Sequence, residues 1–187
     1  MPLLGAGDQL PARPRRVLVA GTSGSGKTTL ARVVAAVLGC PYTEMDALHP
    51  GPAWTPRPQF VEDVTRLVAG PAWVTEWQYH VVRELVLDRA DCLVWLDLPR
   101  RLVMRRVVRR TLRRRLRREV LWNGNVEPPL RTLLTDRDHI VRWAWRTHGR
   151  TALRIDAATG RRPDLPIVRL RSPAEVAAWV AGPLRAS

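Results

Sequence analysis

A lysine and a threonine at the end of a glycine-rich stretch are the residues of this sequence best suited to chemistry. The stretch Gly21-Thr22-Ser23-Gly24-Ser25-Gly26-Lys27-Thr28 fits the pattern G-x-x-x-x-G-K-[ST]. In this pattern the glycines let backbone N–H groups surround a polyphosphate, the lysine reaches the β- and γ-phosphates, and the threonine hydroxyl is a ligand for Mg²⁺. Lys27 is also the only lysine in the chain.

The segments on either side of this loop are those that a phosphate-binding loop requires. After Arg16, residues 17–20 are a short apolar run with two β-branched valines, which is typical of a buried parallel strand. The segment that begins at Thr29 has helical periodicity and ends at Gly39, where a helix should stop. Strand, loop and helix in this order predict a nucleotide site, with ATP and Mg²⁺ as cofactors and every residue from Gly21 to Thr29 in contact with the nucleotide.

Length and composition limit the remaining possibilities. The chain has 187 residues and a net charge of +14, and no apolar run approaches the ~20 residues of a membrane span. Cys40 and Cys92 are too few for a disulfide framework or a metal site, which suits a reducing cytoplasm. We expect a loose N-terminal arm at 1–15 and a single domain at 16–187, present as a monomer or a homodimer.

Strands and helices alternate along the sequence. Strands are predicted at 16–20, 41–45, 72–75, 92–96 and 166–170. Helices are predicted at 29–39, 59–69, 81–89, 100–118, 136–149 and 174–180. This alternation predicts a three-layer α/β fold of the P-loop NTPase type, in which a five-stranded parallel sheet has helices on both faces.

Two carboxylates follow predicted strands. Asp46 comes after the second predicted strand and Glu76 after the third. Ligands of open parallel sheets bind at the carboxyl ends of the strands, so Asp46 is placed for acceptor or Mg²⁺. Glu76 could hold the water shell of Mg²⁺ or accept a proton from a hydroxyl. The structural alternatives are a helix N-cap for Asp46 and a surface carboxylate for Glu76.

The helix predicted at 100–118 carries eleven arginines in nineteen residues, beside one apolar stripe. Part of this arginine excess forms a solvated face, but like charges at such spacings repel, which indicates an anion nearby. The turn-rich segment at 121–129 predicts a flexible tip. A proline-rich segment at 50–58, with Trp54 and Arg57, suits either a substrate-gating loop or a plain connector.

The sequence resembles the small P-loop kinases of the adenylate kinase and shikimate kinase group. More narrowly, it resembles the bacterial adenylate-kinase-like proteins often labelled DNA topology modulation proteins. The resemblance rests on 21–29, 45–49, 54–57, 73–79, 94–99 and 105–110, and spans most of the chain from 16 onward. It implies an arginine-rich helical lid at about 111–136 and phosphate-gripping roles for Arg106 and Arg110. It further implies such a role for Arg142 or Arg146, and a loop around Arg171 that backs the adenine base.

The resemblance is weaker on the acceptor side. Adenylate kinases follow the third-strand acid with a glycine and soon an arginine, whereas this chain has Trp77-Gln78-Tyr79 and its next arginine is Arg83. The leading hypothesis is therefore Mg·ATP-dependent phosphoryl transfer to a small acceptor, either a nucleoside monophosphate or another hydroxyl or phosphate compound. The alternative is a nucleic-acid-associated P-loop ATPase whose helix at 100–118 holds the phosphate backbone.

Overall fold

A computed structural model describes residues 3–49, 55, 57–117 and 140–187. Its sheet has five parallel strands in the order β1-β5-β4-β2-β3. They are β1 (Leu3–Leu4), β2 (Arg16–Gly21), β3 (Trp73–Glu76), β4 (Cys92–Leu96) and β5 (Ile167–Leu170). Most of the predicted 50–58 loop, the predicted tip at 121–129 and the predicted lid beyond Arg117 lie outside the described residues.

Helices follow the strands along the chain. They are α1 (Lys27–Leu38), α2 (Met45–Leu48), α3 (Phe60–Val68), α4 (Arg83–Arg89), α5 (Arg100–Leu116), α6 (Ile140–Thr147), α7 (Arg150–Arg161), α8 (Pro173–Ala181) and α9 (Pro183–Ala186). The predicted start of α8 is confirmed, because the Ser172 hydroxyl accepts from the backbone N–H of Glu175 and Pro173 is the first helical residue.

Alternation along β2 divides the core between the two faces of the sheet. Val17 and Val19 pack with residues of α1, α5, α8 and α9, including the buried Trp179. Leu18 and Ala20 pack on the other face with residues of α3, α4 and α7. The P-loop NTPase fold, predicted with a five-stranded parallel sheet and helices on both faces, is therefore confirmed.

One predicted strand is wrong. Segment 41–45 makes a single parallel bridge, between Tyr42 and Val74, and then enters α2 at Met45. The Glu76 carboxylate accepts the backbone N–H of Met45 at 2.9 Å, which starts a helical turn and takes the chain away from the sheet edge.

The fifth strand comes instead from the N-terminal arm. Leu3–Leu4 pairs with Ile167 and Val168 of β5, so this part of the predicted loose arm is ordered against the sheet. A further helix, α7, occupies a stretch whose residue pattern predicts no element, because its apolar residues are few and arginines interrupt them.

All parallel strands end at the same edge of the sheet, which brings the loops after them together. Register pairs Gly21 of β2 with Leu96 of β4, and Leu96 with Leu170 of β5. The glycine-rich loop therefore lies between the loops that follow β3 and β4, with the loop after β5 one strand further along. The candidate site is at this carboxyl edge.

Candidate active site

The glycine-rich loop has the open backbone that a polyphosphate requires. Gly24 and Gly26 have φ values of +82° and +102°, which residues with a Cβ rarely adopt. In the part of the chain that the structure describes, the backbone N–H groups of Gly24, Gly26, Lys27 and Thr28 donate to no protein acceptor. The Ser25 hydroxyl is buried without a partner there as well. Unsatisfied donors at a helix N-terminus are suited to an anion.

Helix α5 lies directly against this loop. A Cβ at Gly24 would come within 2.2 Å of Cγ2 of Val107 and 3.3 Å of the carbonyl oxygen of Val103. Val103 and Val107 are both buried, so the apolar stripe predicted for this helix is the face that packs on the loop. The contact between Gly24 and Val107 fixes which residues of α5 face the site.

Two arginines of α5 contact the loop, and they are the pair for which the resemblance predicts phosphate-gripping roles. The Arg106 guanidinium donates to the carbonyl oxygen of Ser25 at 3.0 Å, and Arg110 donates to the Ser23 hydroxyl at 3.3 Å. Arg105 and Arg109, one position earlier on the helix, are exposed. The helix therefore carries one row of arginines on the loop and a second row in solvent.

Lys27 lies among charges from other elements. Its Nζ is 3.5 Å from the carbonyl oxygen of Thr22. Burial lowers the pKa of the Lys27 ammonium, Asp46 and Glu76 oppose this effect, and Arg110 adds to it. The lysine, both predicted carboxylates and an α5 arginine are thus close enough to act on one another, as one site requires.

Asp46 is held by two neutral donors from the loop after β3. Its Oδ1 accepts from the amide of Gln78 at 2.6 Å and from the hydroxyl of Tyr79 at 2.6 Å. Among the described residues, no group donates to the other carboxylate oxygen, Oδ2. Asp46 is also not the N-cap of α2, because that position is occupied by Glu44. One carboxylate oxygen is therefore clamped and the other is available to a ligand.

Tyr79 is itself held in an unfavourable backbone conformation, with a φ of 58°. Its ring stacks on His49 with centroids 3.8 Å apart, and Phe60 packs edge-on against both rings. Burial raises the pKa of the Tyr79 hydroxyl, and the neighbouring Asp46 adds to this effect, so the hydroxyl stays a donor at neutral pH. Strain of this kind is tolerated only where the surroundings fix the residue.

Glu76 is not a surface carboxylate. Its side chain is 1% exposed, its Oε1 accepts from the Tyr42 hydroxyl at 2.6 Å, and its Oε2 accepts from the Met45 backbone N–H. Both oxygens therefore hold the segment that leads into Asp46. A role of Glu76 toward the water shell of Mg²⁺ remains a prediction, in addition to this structural contact.

Residues that the sequence did not single out complete the site. The Thr22 hydroxyl donates to the carbonyl oxygen of His148 at 3.3 Å, and the ring Nε2 of His148 is 3.1 Å from the carbonyl oxygen of Leu98. His148 therefore joins the glycine-rich loop to the chain between α6 and α7. No spacing or motif marks His148, nor the roles of Gln78 and Tyr79, because their partners are distant in sequence.

The remaining predicted residues are Arg171 and the two α6 arginines, Arg142 and Arg146. Arg171 is exposed after β5, where its backbone N–H donates to Glu175, so its predicted contact with adenine stays a prediction. On α6, the Arg146 guanidinium is 5.9 Å from the centre of the Trp143 ring. This contact does not decide whether Arg142 or Arg146 faces the site.

The residues present fit ATP and Mg²⁺. The free N–H groups and orphaned Ser25 hydroxyl suit phosphate oxygens, while the partly buried Thr28 at the start of α1 suits Mg²⁺. Among the described residues, no group of three or more His, Cys, Asp and Glu side chains could hold a metal ion.

Comparisons with known proteins agree with this fold. Residues 17–70 match the family described as ATPase family associated with various cellular activities (AAA). A gluconokinase from Sinorhizobium meliloti 1021 has 20% identity and a TM-score of 0.51, over 93% of this chain and 94% of that chain. A shikimate kinase from Acinetobacter baumannii has 19% identity and a TM-score of 0.46, over 92% of this chain and 87% of that chain.

A search of the curated proteins found no match. The narrower resemblance to DNA topology modulation proteins is not confirmed by these comparisons. Across the described residues, no helix is long and apolar enough to span a membrane.

Proposed function

We propose that this protein catalyses Mg·ATP-dependent phosphoryl transfer to a small-molecule acceptor. The observation that carries the proposal is the contact of Arg106 and Arg110 with the loop that contains Lys27. Phosphoryl transfer requires a donor cradle, cationic groups around the migrating phosphoryl and a positioned acceptor. The described residues supply all three at one edge of the sheet.

The loop and its cations form the donor side. The unsatisfied N–H groups of Gly24, Gly26, Lys27 and Thr28 bind the phosphate oxygens, and the Lys27 side chain reaches the β- and γ-phosphates. Arg106 and Arg110 offset the charge that develops on the γ-phosphoryl oxygens and on the leaving β-phosphate. Thr28, together with the phosphates, would hold Mg²⁺, which would supply further charge neutralisation when bound.

Asp46 forms the acceptor side. Its free Oδ2 accepts a proton from an acceptor hydroxyl, whose oxygen forms the new bond to the γ-phosphorus while the bond from that phosphorus to the β–γ bridging oxygen breaks. The products are ADP and a phosphate ester. Gln78 and Tyr79 hold the carboxylate through Oδ1, which keeps it oriented without using the oxygen that takes the proton.

A screen of acceptors tests this proposal. The purified protein is incubated with Mg·ATP and panels of polyols, sugar acids, sugar phosphates and nucleoside monophosphates, and mass spectrometry detects products heavier by one phosphoryl group. We expect one class to yield such a product in equal amount to ADP, and the Lys27→Ala protein to yield none. ADP formation that no acceptor stimulates would contradict transfer.

A second candidate function is supported by the outer arginines of α5. Arg105, Arg109 and Arg113 are exposed on this helix, and the chain has a net charge of +14. Such a row suits the phosphate backbone of nucleic acid. The packing of α5 on the glycine-rich loop favours the kinase, because it commits the inner arginines to the nucleotide site.

A further inference from the structure

Helices α4 and α7 lie side by side and run in the same direction. Both start at the carboxyl edge of the sheet, since each is followed by a parallel strand that begins at the opposite edge. Arg161 near the end of α7 bonds Asp88 near the end of α4 at 2.8 Å. The starts of the two helices are therefore neighbours at the edge that carries the candidate site.

The far ends of this helix pair are charge-balanced. Arg161, at the end of α7, also forms an ion pair at 3.4 Å with Glu84, which lies one turn before Asp88 on α4. Arg162 is paired with Asp164 at 2.7 Å and donates to the carbonyl oxygens of Leu87 and Asp88. Each arginine there has a carboxylate partner, which is the usual arrangement for a structural arginine.

At the near ends, three arginines have no carboxylate partner among the described residues, since Glu84 in the first turn of α4 is paired with Arg161 instead. Arg83 begins α4, and Arg150 and Arg154 lie one turn apart at the start of α7. Within the described ranges none of the three forms an ion pair or a side-chain hydrogen bond. The Nε of Arg83 is buried without a partner, although the guanidinium lies 5.9 Å from the centre of the Trp77 ring.

The positive charges of these arginines also repel one another. Burial lowers the pKa of Arg83, and the neighbouring Arg154 lowers it further. Burial and Arg150 have the same effect on the pKa of Arg154. Half-buried like charges with no counterion are costly, so a stable arrangement of this kind is typical of a site whose anion comes from outside the chain.

The cluster adjoins the acceptor side. Arg83 is four residues after Tyr79, which holds Asp46, and Trp77, two residues before Tyr79, donates its indole N–H to the carbonyl oxygen of Arg83. Arg150 is two residues after His148, whose carbonyl oxygen contacts Thr22 of the glycine-rich loop. Both ends of the cluster are thus tied to segments of the candidate site.

We infer that Arg83, Arg150 and Arg154 bind an anionic group of the acceptor, so that the acceptor is a hydroxyl compound bearing a carboxylate or a phosphate. This inference rests on the proposed function and specifies its substrate class. The planar guanidinium groups bind either anion through paired N–H donors. The anion then anchors the acceptor at the helix starts while its hydroxyl reaches Oδ2 of Asp46.

Matched acceptor pairs test this inference. Sugar acids and sugar phosphates are each compared with the neutral polyol of the same carbon chain, so the two arms distinguish carboxylate from phosphate. We expect product only, or at least tenfold faster, from the charged member of a pair. If the neutral polyol is phosphorylated equally well, the inference is overturned and the proposed function stands; if no compound is phosphorylated, the proposed function itself fails.

Substitutions of single arginines test which side chains bind the anionic group of the acceptor. Arg154→Ala and Arg83→Lys should raise the KM for the charged acceptor roughly 10- to 100-fold, the scale of a lost hydrogen bond between charged groups. The KM for ATP and kcat should change much less. Arg161→Ala, on the same helix but paired with Asp88, is the control and should leave all three constants near those of the unmodified protein.

A binding measurement separates an anion site from a structural role. The midpoint of thermal unfolding is measured with a saturating non-hydrolysable ATP analogue and Mg²⁺, with and without inorganic phosphate. We expect phosphate to raise the midpoint of the unmodified and Arg161→Ala proteins but not that of Arg154→Ala. Without phosphate, Arg154→Ala should be as stable as the unmodified protein or more so. An equal rise in all three proteins, or none in the unmodified protein, would overturn the inference.

Discussion

The donor side and the acceptor side of the candidate site carry groups of opposite charge. The donor side is a continuous loop of backbone N–H groups with cations around it, namely Lys27, Arg106 and Arg110. The acceptor side is a carboxylate, Asp46, held by two neutral side chains, Gln78 and Tyr79. A cationic cradle suits a polyphosphate, whereas a clamped carboxylate with one free oxygen suits the proton of a hydroxyl.

This difference shows how charge is distributed for phosphoryl transfer. Positive charge surrounds the group that migrates, and negative charge lies where a proton must be removed. Lys27 lies between the two sides, because its ammonium interacts with Asp46 and Glu76 as well as with Arg110. Lys27→Ala is directed at the donor side, Asp46→Asn and Tyr79→Phe are directed at the acceptor side, and Glu76→Gln is directed at stability.

Lys27→Ala should have the largest effect on turnover. It removes the only cation within the loop itself, and we expect a loss of roughly 10³-fold or more in kcat. The fold should remain, because the ammonium makes one long contact, 3.5 Å to the Thr22 carbonyl oxygen, and its burial already disfavours the charge. Steady-state ADP formation and thermal unfolding measure the two quantities, and unchanged turnover would refute the donor assignment.

Asp46→Asn should affect the acceptor side alone. We expect roughly a 10²-fold loss in kcat, the lower range for removal of a general base, with the KM for ATP little changed. Glu44→Gln is the matched control, since this nearby carboxylate is bonded to Arg32 instead of to Gln78 and Tyr79. A loss of stability with normal activity per folded molecule would make Asp46 structural.

Glu76→Gln should act first on stability. The buried carboxylate accepts from Tyr42 and Met45, and an amide can replace only one of these acceptor oxygens. We expect the free energy of unfolding to fall by about 1–3 kcal/mol, as for a buried donor left unsatisfied. Chemical denaturation measures this free energy, and Glu62→Gln, on the exposed face of α3, is the control that should not change it. A stable but inactive Glu76→Gln protein would instead favour the predicted role toward Mg²⁺.

Tyr79→Phe should have the smallest effect. It removes one of two donors to Oδ1 of Asp46 while Gln78 keeps the other, so we expect kcat to fall by no more than about tenfold. The double variant Gln78→Ala/Tyr79→Phe should approach the loss seen in Asp46→Asn. If the double variant keeps full activity, Gln78 and Tyr79 are not needed to orient Asp46.

The glycine-rich loop of the donor side could be predicted from the sequence because its parts are local, since the residues from Gly21 to Thr28 form one motif. The roles predicted for Arg106 and Arg110 came instead from the resemblance, since each contacts a loop residue more than eighty positions away. Four of the five strands were found because each is a short, mostly apolar run. The two residues Leu3 and Leu4 are too short a run to give such a signal.

The sequence predicts Asp46 on the acceptor side but not the contacts that hold it, because these contacts join segments that are distant in sequence. Asp46 is bonded to residues more than thirty positions away, and the error at 41–45 has the same origin, since the Glu76 carboxylate starts α2. The link from Thr22 to His148 spans an even longer separation. Such contacts depend on the tertiary arrangement and leave no periodicity.

The two arginine rows of α5 give the most direct test of the central claim, which is that this helix acts on the transferring phosphoryl group. ATP turnover, and DNA affinity at two salt concentrations, are measured for Arg106→Ala and Arg110→Ala against Arg105→Ala and Arg109→Ala. We predict a loss on the order of 10³-fold in turnover for the inner pair and little change for the outer pair, because only the inner pair contacts the loop. An even, salt-sensitive loss of DNA affinity across all four, with turnover untouched at Arg106 and Arg110, would contradict the account.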